Sequence, residues 1–233
     1  PQRLHAALRA LLARHATLRA CFAAPADGGA AKQLVMAAPP LPWRVVDVQD
    51  LEPEAQAERL EELAQAERAE RFDPGSAPLL RVALLRTAPR RWRLLLTHHH
   101  LLLDGWSSPI LIAELLALYR GAALPAAPSF AHHLAWLAGR DRQAARAAWS
   151  RHLAGLEGPT RLAAGYGLAD RPEASRSLRC TLDDAATARL EAFARGHGLT
   201  LATVLQGAWA LLLGRLTGRR DVVFGITVAG RSG

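Results

Sequence analysis

Apolar positions recur at two spacings along this chain, and the change from one spacing to the other marks out its elements. In residues 3–15, Leu4, Leu8, Leu11 and Leu12 fall at intervals of three and four, the spacing of one helix face. The TLRACFA stretch that follows alternates as a strand does. KQLVM (32–36) and WRVVDV (43–48) predict two further strands, set apart by AAPPLP, whose prolines have no N–H to give to a sheet ladder. Residues 53–71 read as an amphipathic helix with Pro53 in its first turn, Leu60 and Leu63 on one side and a solvated face of Glu, Gln and Arg on the other. LLRVALLR (79–86) and RWRLLLTHH (91–99) are separated by a short connection and predict adjacent antiparallel strands. A helix is predicted over SPILIAELLALYR, with Ser107 or Ser108 as N-cap, Pro109 in the first turn and Glu114 on the polar face.

The pattern continues with helices over 129–138 and 141–156, then a glycine- and proline-rich stretch, EGPTRLAAGYGLADRPEAS, that reads as a linker. Beyond it come a strand (SRSLRCTL, 175–182), a helix from 184 capped by aspartate, a helix capped by Thr200 and a last strand, DVVFGITV (221–228). The expected divisions are 1–160, a connecting 161–174, and 175–233. Alternating helices and strands of both spacings place the chain in the α/β class.

Half of the 233 residues are hydrophobic, enough for a sizeable core. The formal charge of +8 changes the picture little, because the basic residues, all arginine except Lys32, are scattered among glutamates rather than gathered on one stripe, so no nucleic-acid partner is expected. Cys21 and Cys180 form no CxxC and no paired framework, which points away from disulfide or thiolate–metal scaffolds and toward a reducing cytoplasm. No apolar run approaches the roughly 18 residues of a membrane span. The chain opens at Pro1 and stops at Gly233 straight after a strand-like run, and the reading is of a fragment.

Candidate chemistry is concentrated in Thr97-His98-His99-His100-Leu101-Leu102-Leu103-Asp104-Gly105-Trp106-Ser107, a cluster of ionisable groups in apolar surroundings. Strand alternation puts His98 and His100 on one side and His99 on the other. Sending His99 away from its neighbours disfavours a zinc site, which needs three or four converging ligands. Histidine, with an unperturbed pKa of about 6.5, suits proton transfer near neutrality.

Residues 99–107 match HHxxxDGWS, and the chain thereby resembles the condensation domains of nonribosomal peptide synthetases. Arg14 to Phe22 is similar to the family's RHxxLRxxF segment, and Asp221 to Arg231 to a third motif. Residues 129–136 depart from it, with Phe130 and His133 where the family has a tyrosine-rich pattern. The resemblance implies a chloramphenicol-acetyltransferase-like fold, an α+β two-layer sandwich in two lobes. Here 1–160 would be the N-terminal lobe, 161–174 the linker and 175–233 the beginning of the C-terminal lobe.

It also implies roles. His100 would be the catalytic histidine at the lobe junction, His99 structural, and Asp104 paired with Arg231 to hold the loop. Ser107 would support the motif. By residue type and position, and apart from the resemblance, Gly105 is expected to serve a close approach or a helix-entry turn, Trp106 to be core rather than substrate contact, and Arg14, His15 and Arg19, where the first helix meets a strand, to form a bracing polar cluster.

The implied reaction joins a donor acyl or peptidyl thioester to an acceptor aminoacyl thioester, both on the phosphopantetheine of carrier proteins. No metal or cofactor of the chain's own is implied. Upstream and downstream carriers and an adjacent adenylation domain are the expected partners, with no nucleic acid or membrane, in antibiotic or siderophore biosynthesis. An α-amino group with a pKa near 8 is about one part in ten neutral at pH 7, so deprotonation costs only about 1 kcal/mol. His100 therefore has three open roles: base, positioning group, or hydrogen-bond donor to the tetrahedral species. The rival readings are an epimerisation domain, a stand-alone acyltransferase, and a non-catalytic docking domain.

Overall fold

The computed structural model describes residues 1–25, 28–162 and 178–228, and its contacts divide the chain into two units, Pro1–Arg140 and Asp141–Gly233. In the first unit, the leucines spaced three and four apart form α1 (Gln2–Arg14), which buries Ala7, Leu8, Leu11 and Leu12. TLRACFA is only half strand: Ala16–Arg19 is a 3₁₀ turn closed by Leu18 N–H on the His15 carbonyl, and β1 (Ala20–Ala23) follows. Pairing decides where the strand begins, since β2 (Lys32–Val35) lies antiparallel to β1 with Cys21 opposite Leu34.

A three-stranded sheet carries the rest of this unit. β3 (Trp43–Asp47) runs parallel to β4 (Leu80–Ala88), and β5 (Arg91–His98) runs antiparallel to β4. The parallel pair needs a crossover, which is α2 (Pro53–Ala69). As the central strand, β4 is buried along nearly its whole length, which is why it reads as a continuous apolar run rather than an alternating one. Leu80 and Val82 pack with α1 and with Leu111 and Leu115 of α3 (Ser107–Arg120), whereas Ala83 and Leu85 pack with Leu60 and Leu63 of α2. Helices thus cover both faces of this sheet. Gln56 ties α2 to it by donating from Nε2 to the carbonyls of Val48 and Thr87. The unit ends with α4 (Phe130–Ala138), capped by the Ser129 hydroxyl.

The second unit holds α5 (Arg142–His152), α6 (Asp184–Gly196) and α7 (Leu201–Thr217), whose first turns are closed by the side chains of Asp141, Asp183 and Thr200. The two expected strands are not found among its described residues: 178–182 and 221–228 have no ladder. Alternation makes a segment able to be a strand, but a strand exists only where a neighbour's backbone satisfies its N–H and C=O groups. Here the Val223 N–H donates to the Thr160 hydroxyl, 2.8 Å away. Residues 163–174 of the expected linker, and 175–177 of the expected strand, lie outside the described residues. Among the described residues, no single helix is long and apolar enough to cross a membrane.

Candidate active site

β5 delivers the histidines to the edge of the first unit, but it ends one residue earlier than the alternation predicts. His98 still pairs with Leu80. The His99 N–H reaches the Leu79 carbonyl at 3.0 Å, and then the chain turns, with Leu102 N–H donating to the His99 carbonyl at 3.0 Å. The turn, not strand pleating, sets the side-chain directions here, and it arrives at the expected partition. The rings of His98 and His100 meet edge to face, 6.2 Å between centres, while His99 points to Phe72.

His99 is fixed by its own chain. Its Nδ1 accepts from the Leu101 N–H at 3.0 Å, and since a backbone N–H only donates, the neutral ring must carry its proton on Nε2. His100, between these anchored neighbours, is exposed. Beyond it Leu103 is buried in the cluster formed by α1, α3 and β4, and holds the loop down.

Asp104 opens α3 in place of the serines expected as caps. Its Oδ1 accepts from both the backbone N–H and the hydroxyl of Ser107, at 2.7 and 2.6 Å, and its carbonyl accepts from the Ser108 hydroxyl. Trp106, expected in the core, is instead 66% exposed. Gly105 shows neither a positive φ nor, among the described residues, any neighbour that a Cβ would meet within 4 Å; of its expected uses only the helix-entry turn remains. Arg231 lies outside the described residues.

The Asp104 arrangement leads to a test. Asp104→Ala should lower the stability of the full-length protein by about 1 kcal/mol, the usual worth of a lost cap. Asp104→Asn keeps the acceptor but loses the negative charge, and should melt between the wild type and the Ala variant. An Asn variant as unstable as the Ala variant would show that the negative charge, rather than the cap, is what the loop needs.

The expected bracing cluster separates into two. Arg14 donates to Glu114 from Nε and Nη2, at 2.9 and 3.3 Å, and the His15 Nε2 lies 2.6 Å from Oε2 of the same carboxylate, clamping α1 to α3. Burial works against the charge on Glu114, but the hydrogen bonds and charges of Arg14 and His15 outweigh it and hold its carboxyl below the usual range. Glu114 is therefore an interhelical residue and not part of a polar face. One signal pointed to it: it is the only acidic residue between Asp104 and Asp141. Arg19 acts elsewhere, donating to the carbonyls of Leu12, Met36 and Ala37 and so tying β2 to α1.

A second group was not legible in the sequence at all. Buried Glu67 of α2 binds Arg44 at 2.7 Å and Arg81 at 3.1 Å, and the Arg81 guanidinium lies over the Phe72 ring, 4.0 Å from its centre. On α4, where the tyrosine-rich pattern is missing, His133 lies between Phe130 and Trp136, and Arg140 covers Trp136. Among the described residues, no group of three or more histidines, cysteines or carboxylates is placed to hold a metal ion.

A family profile described as the condensation domain matches residues 1–233. The chain belongs to the condensation-domain family. It is 42% identical over 195 residues to a linear gramicidin synthase of Brevibacillus parabrevis, a match that covers 80% of this chain and 2% of that protein. The first condensation domain of the calcium-dependent antibiotic synthetase shares the fold with a TM-score of 0.68 at 27% identity, over 100% of this chain and 56% of that one. The SgcC5 protein of Streptomyces globisporus aligns with a TM-score of 0.78 over 100% of this chain and 54% of its own, at 23% identity, and speaks for the fold alone. This condensation-domain chain thus has the expected mixed α/β, acetyltransferase-like fold and spans about half the length of these solved chains.

Proposed function

We propose that this condensation-domain chain supplies the reacting histidine for amide formation between two carrier-bound thioesters. The acceptor's amine nitrogen bonds to the donor's thioester carbon, and the carbon–sulfur bond breaks. The proton lost by the amine passes to His100 and leaves with the thiolate as a thiol. The observation that carries this reading is the exposed imidazole of His100, held at the tip of a turn whose flanking backbone is hydrogen-bonded on both sides, within the HHLLLDGWS segment of a condensation domain.

The same reading assigns His99, Asp104, Gly105, Trp106 and Ser107 to the support of the loop, with Arg231 as the charge partner of Asp104. Arg14, His15 and Arg19 hold the first unit together. Residues 1–160 form the N-terminal lobe, 161–174 the linker and 175–233 the beginning of the second lobe. The substrates ride on phosphopantetheine arms of upstream and downstream carriers beside an adenylation domain, in the cytoplasm, and the chain brings no metal or cofactor of its own.

The test supplies the full-length protein with loaded donor and acceptor carriers and follows the acceptor by intact-protein mass spectrometry. A mass gain equal to the donor acyl group on the acceptor carrier is the expected result. An acceptor carrier of unchanged mass would replace this reading with docking, or with epimerisation where chiral analysis of the released acceptor shows its stereocentre inverted.

A further inference from the structure

We propose that Phe72 is a positioning residue for His100, acting through His99 and held by the Glu67–Arg81 ion pair. The proposal rests on the reading of His100 as the reacting histidine.

Among the described residues, three hydrogen bonds beside His100 are made by its neighbour. His99 donates its N–H to Leu79, accepts from the Leu102 N–H at its carbonyl, and accepts from the Leu101 N–H at Nδ1. The last of these depends on how the imidazole is turned. Tilting the ring out of its present plane would carry Nδ1 away from the Leu101 N–H, which would lose its acceptor. The plane of the His99 ring is therefore one of the things that fixes the turn at His100.

Phe72 controls that orientation. Its ring meets the His99 ring at 82°, with 6.3 Å between centres, the edge-to-face geometry that aromatic pairs prefer. Phe72 is fixed in turn from its other neighbour. The Arg81 guanidinium covers its ring, and Arg81 cannot drift, because Nε is bound to the buried carboxylate of Glu67 and Nη2 donates to the carbonyls of Glu67 and Glu70. The chain beyond Phe72 is also closed: Asp73 accepts from Gly75 N–H and the Ser76 hydroxyl, and Pro74 accepts from Phe22 N–H at 2.7 Å. A continuous line of contacts thus runs from a buried ion pair between α2 and β4 to the turn that carries His100. None of its members needs to touch substrate.

The obvious alternative is that Phe72 only fills space, and the experiment separates the two. Phe72→Leu keeps an apolar side chain but removes the ring edge, and Phe72→Tyr keeps the ring. In the full-length protein with loaded carriers, Phe72→Leu should lower kcat roughly tenfold, the rate equivalent of one lost aromatic pair, and leave the KM for the acceptor carrier within about twofold. Phe72→Tyr should retain wild-type kcat and melt with the wild type, whereas Phe72→Leu, which gives up the ring contacts to His99 and Arg81, should melt a few degrees lower yet stay folded at the assay temperature. A Phe72→Leu protein with wild-type kcat, a Phe72→Tyr protein as slow as Phe72→Leu, or a Phe72→Leu loss that disappears when the rate is taken per folded protein would each overturn the proposal. His100→Ala is measured alongside: if it is inactive while Phe72→Leu is fully active, only the role of Phe72 fails, whereas an active His100→Ala removes the reading on which that role rests.

Discussion

Replacing His100 by alanine in the full-length protein is expected to slow transfer from donor to acceptor carrier by about 10² to 10⁴, the range that a positioned acid–base group supplies. The substitution should leave folding intact, because His100 is exposed and the hydrogen bonds of its turn belong to the backbone and to His99. Among the described residues, its contact with the His98 ring is the ring interaction given up.

The pH dependence of kcat/KM then separates the possible roles. A base must be neutral to act, so activity should fall as the imidazole gains its proton, and that limb should vanish in His100→Gln while the limb due to the amine remains. If instead His100→Gln keeps both limbs and most of the rate, the side chain only holds the amine in line, which an amide can also do. An intact rate in His100→Ala would leave proton transfer to the amine's own equilibrium, which at neutral pH is only about 1 kcal/mol uphill.

The sequence marked out candidate residues more readily than their geometry, and the reason lies in what each signal measures. Alternation along RWRLLLTHH placed His98 and His100 together and His99 apart, a correct partition reached through the wrong element, since the ladder stops at His98 and a turn sets the directions beyond it. Ser107 and Ser108 were reasonable caps by residue type. The true acceptor, Asp104, stands three residues before Ser107 and also fits the preference for aspartate at helix starts, so local pattern alone could not choose.

Trp106 was expected in the core on its apolar character, but hydrophobicity measures a tendency to be covered and not the direction in which a helix start aims a side chain. The segments 178–182 and 221–228 show the same limit for strands, because apolar alternation is a property of one segment and a ladder is a property of two. Least legible were the interactions that join distant positions. Glu67 to Arg81, Arg81 to Phe72 and Phe72 to His99 are each unremarkable residues in sequence, and only the crossover of α2 brings them into one line.

The Arg14–His15–Glu114 clamp carries a large expected stability effect. Glu114→Gln should cost the full-length protein roughly 2 kcal/mol at pH 7, less than the 3–5 kcal/mol typical of a fully buried pair, because the three side chains keep some solvent contact. The cost arises chiefly from what is left behind: Arg14, charged at every pH of interest, loses its counter-charge at the packed junction of α1 and α3.

Because the Glu114 carboxyl titrates lower in the folded state than in the unfolded chain, its contribution is fully present above the unfolded pKa of about 4.3 and is lost as pH falls through the folded pKa. Denaturant unfolding of wild type and Glu114→Gln at pH 7 should therefore give well-separated midpoints with equal slopes. The midpoints should converge as the pH falls from the unfolded value through the lowered folded pKa, below which the wild-type carboxyl is itself neutral and the glutamine becomes a fair copy of it. Coincident midpoints at pH 7 would mean that α1 and α3 are held by Leu8, Leu11, Leu111 and Leu115 alone. A separation that persists undiminished into acid would trace the loss to the shape of the amide rather than to the missing charge.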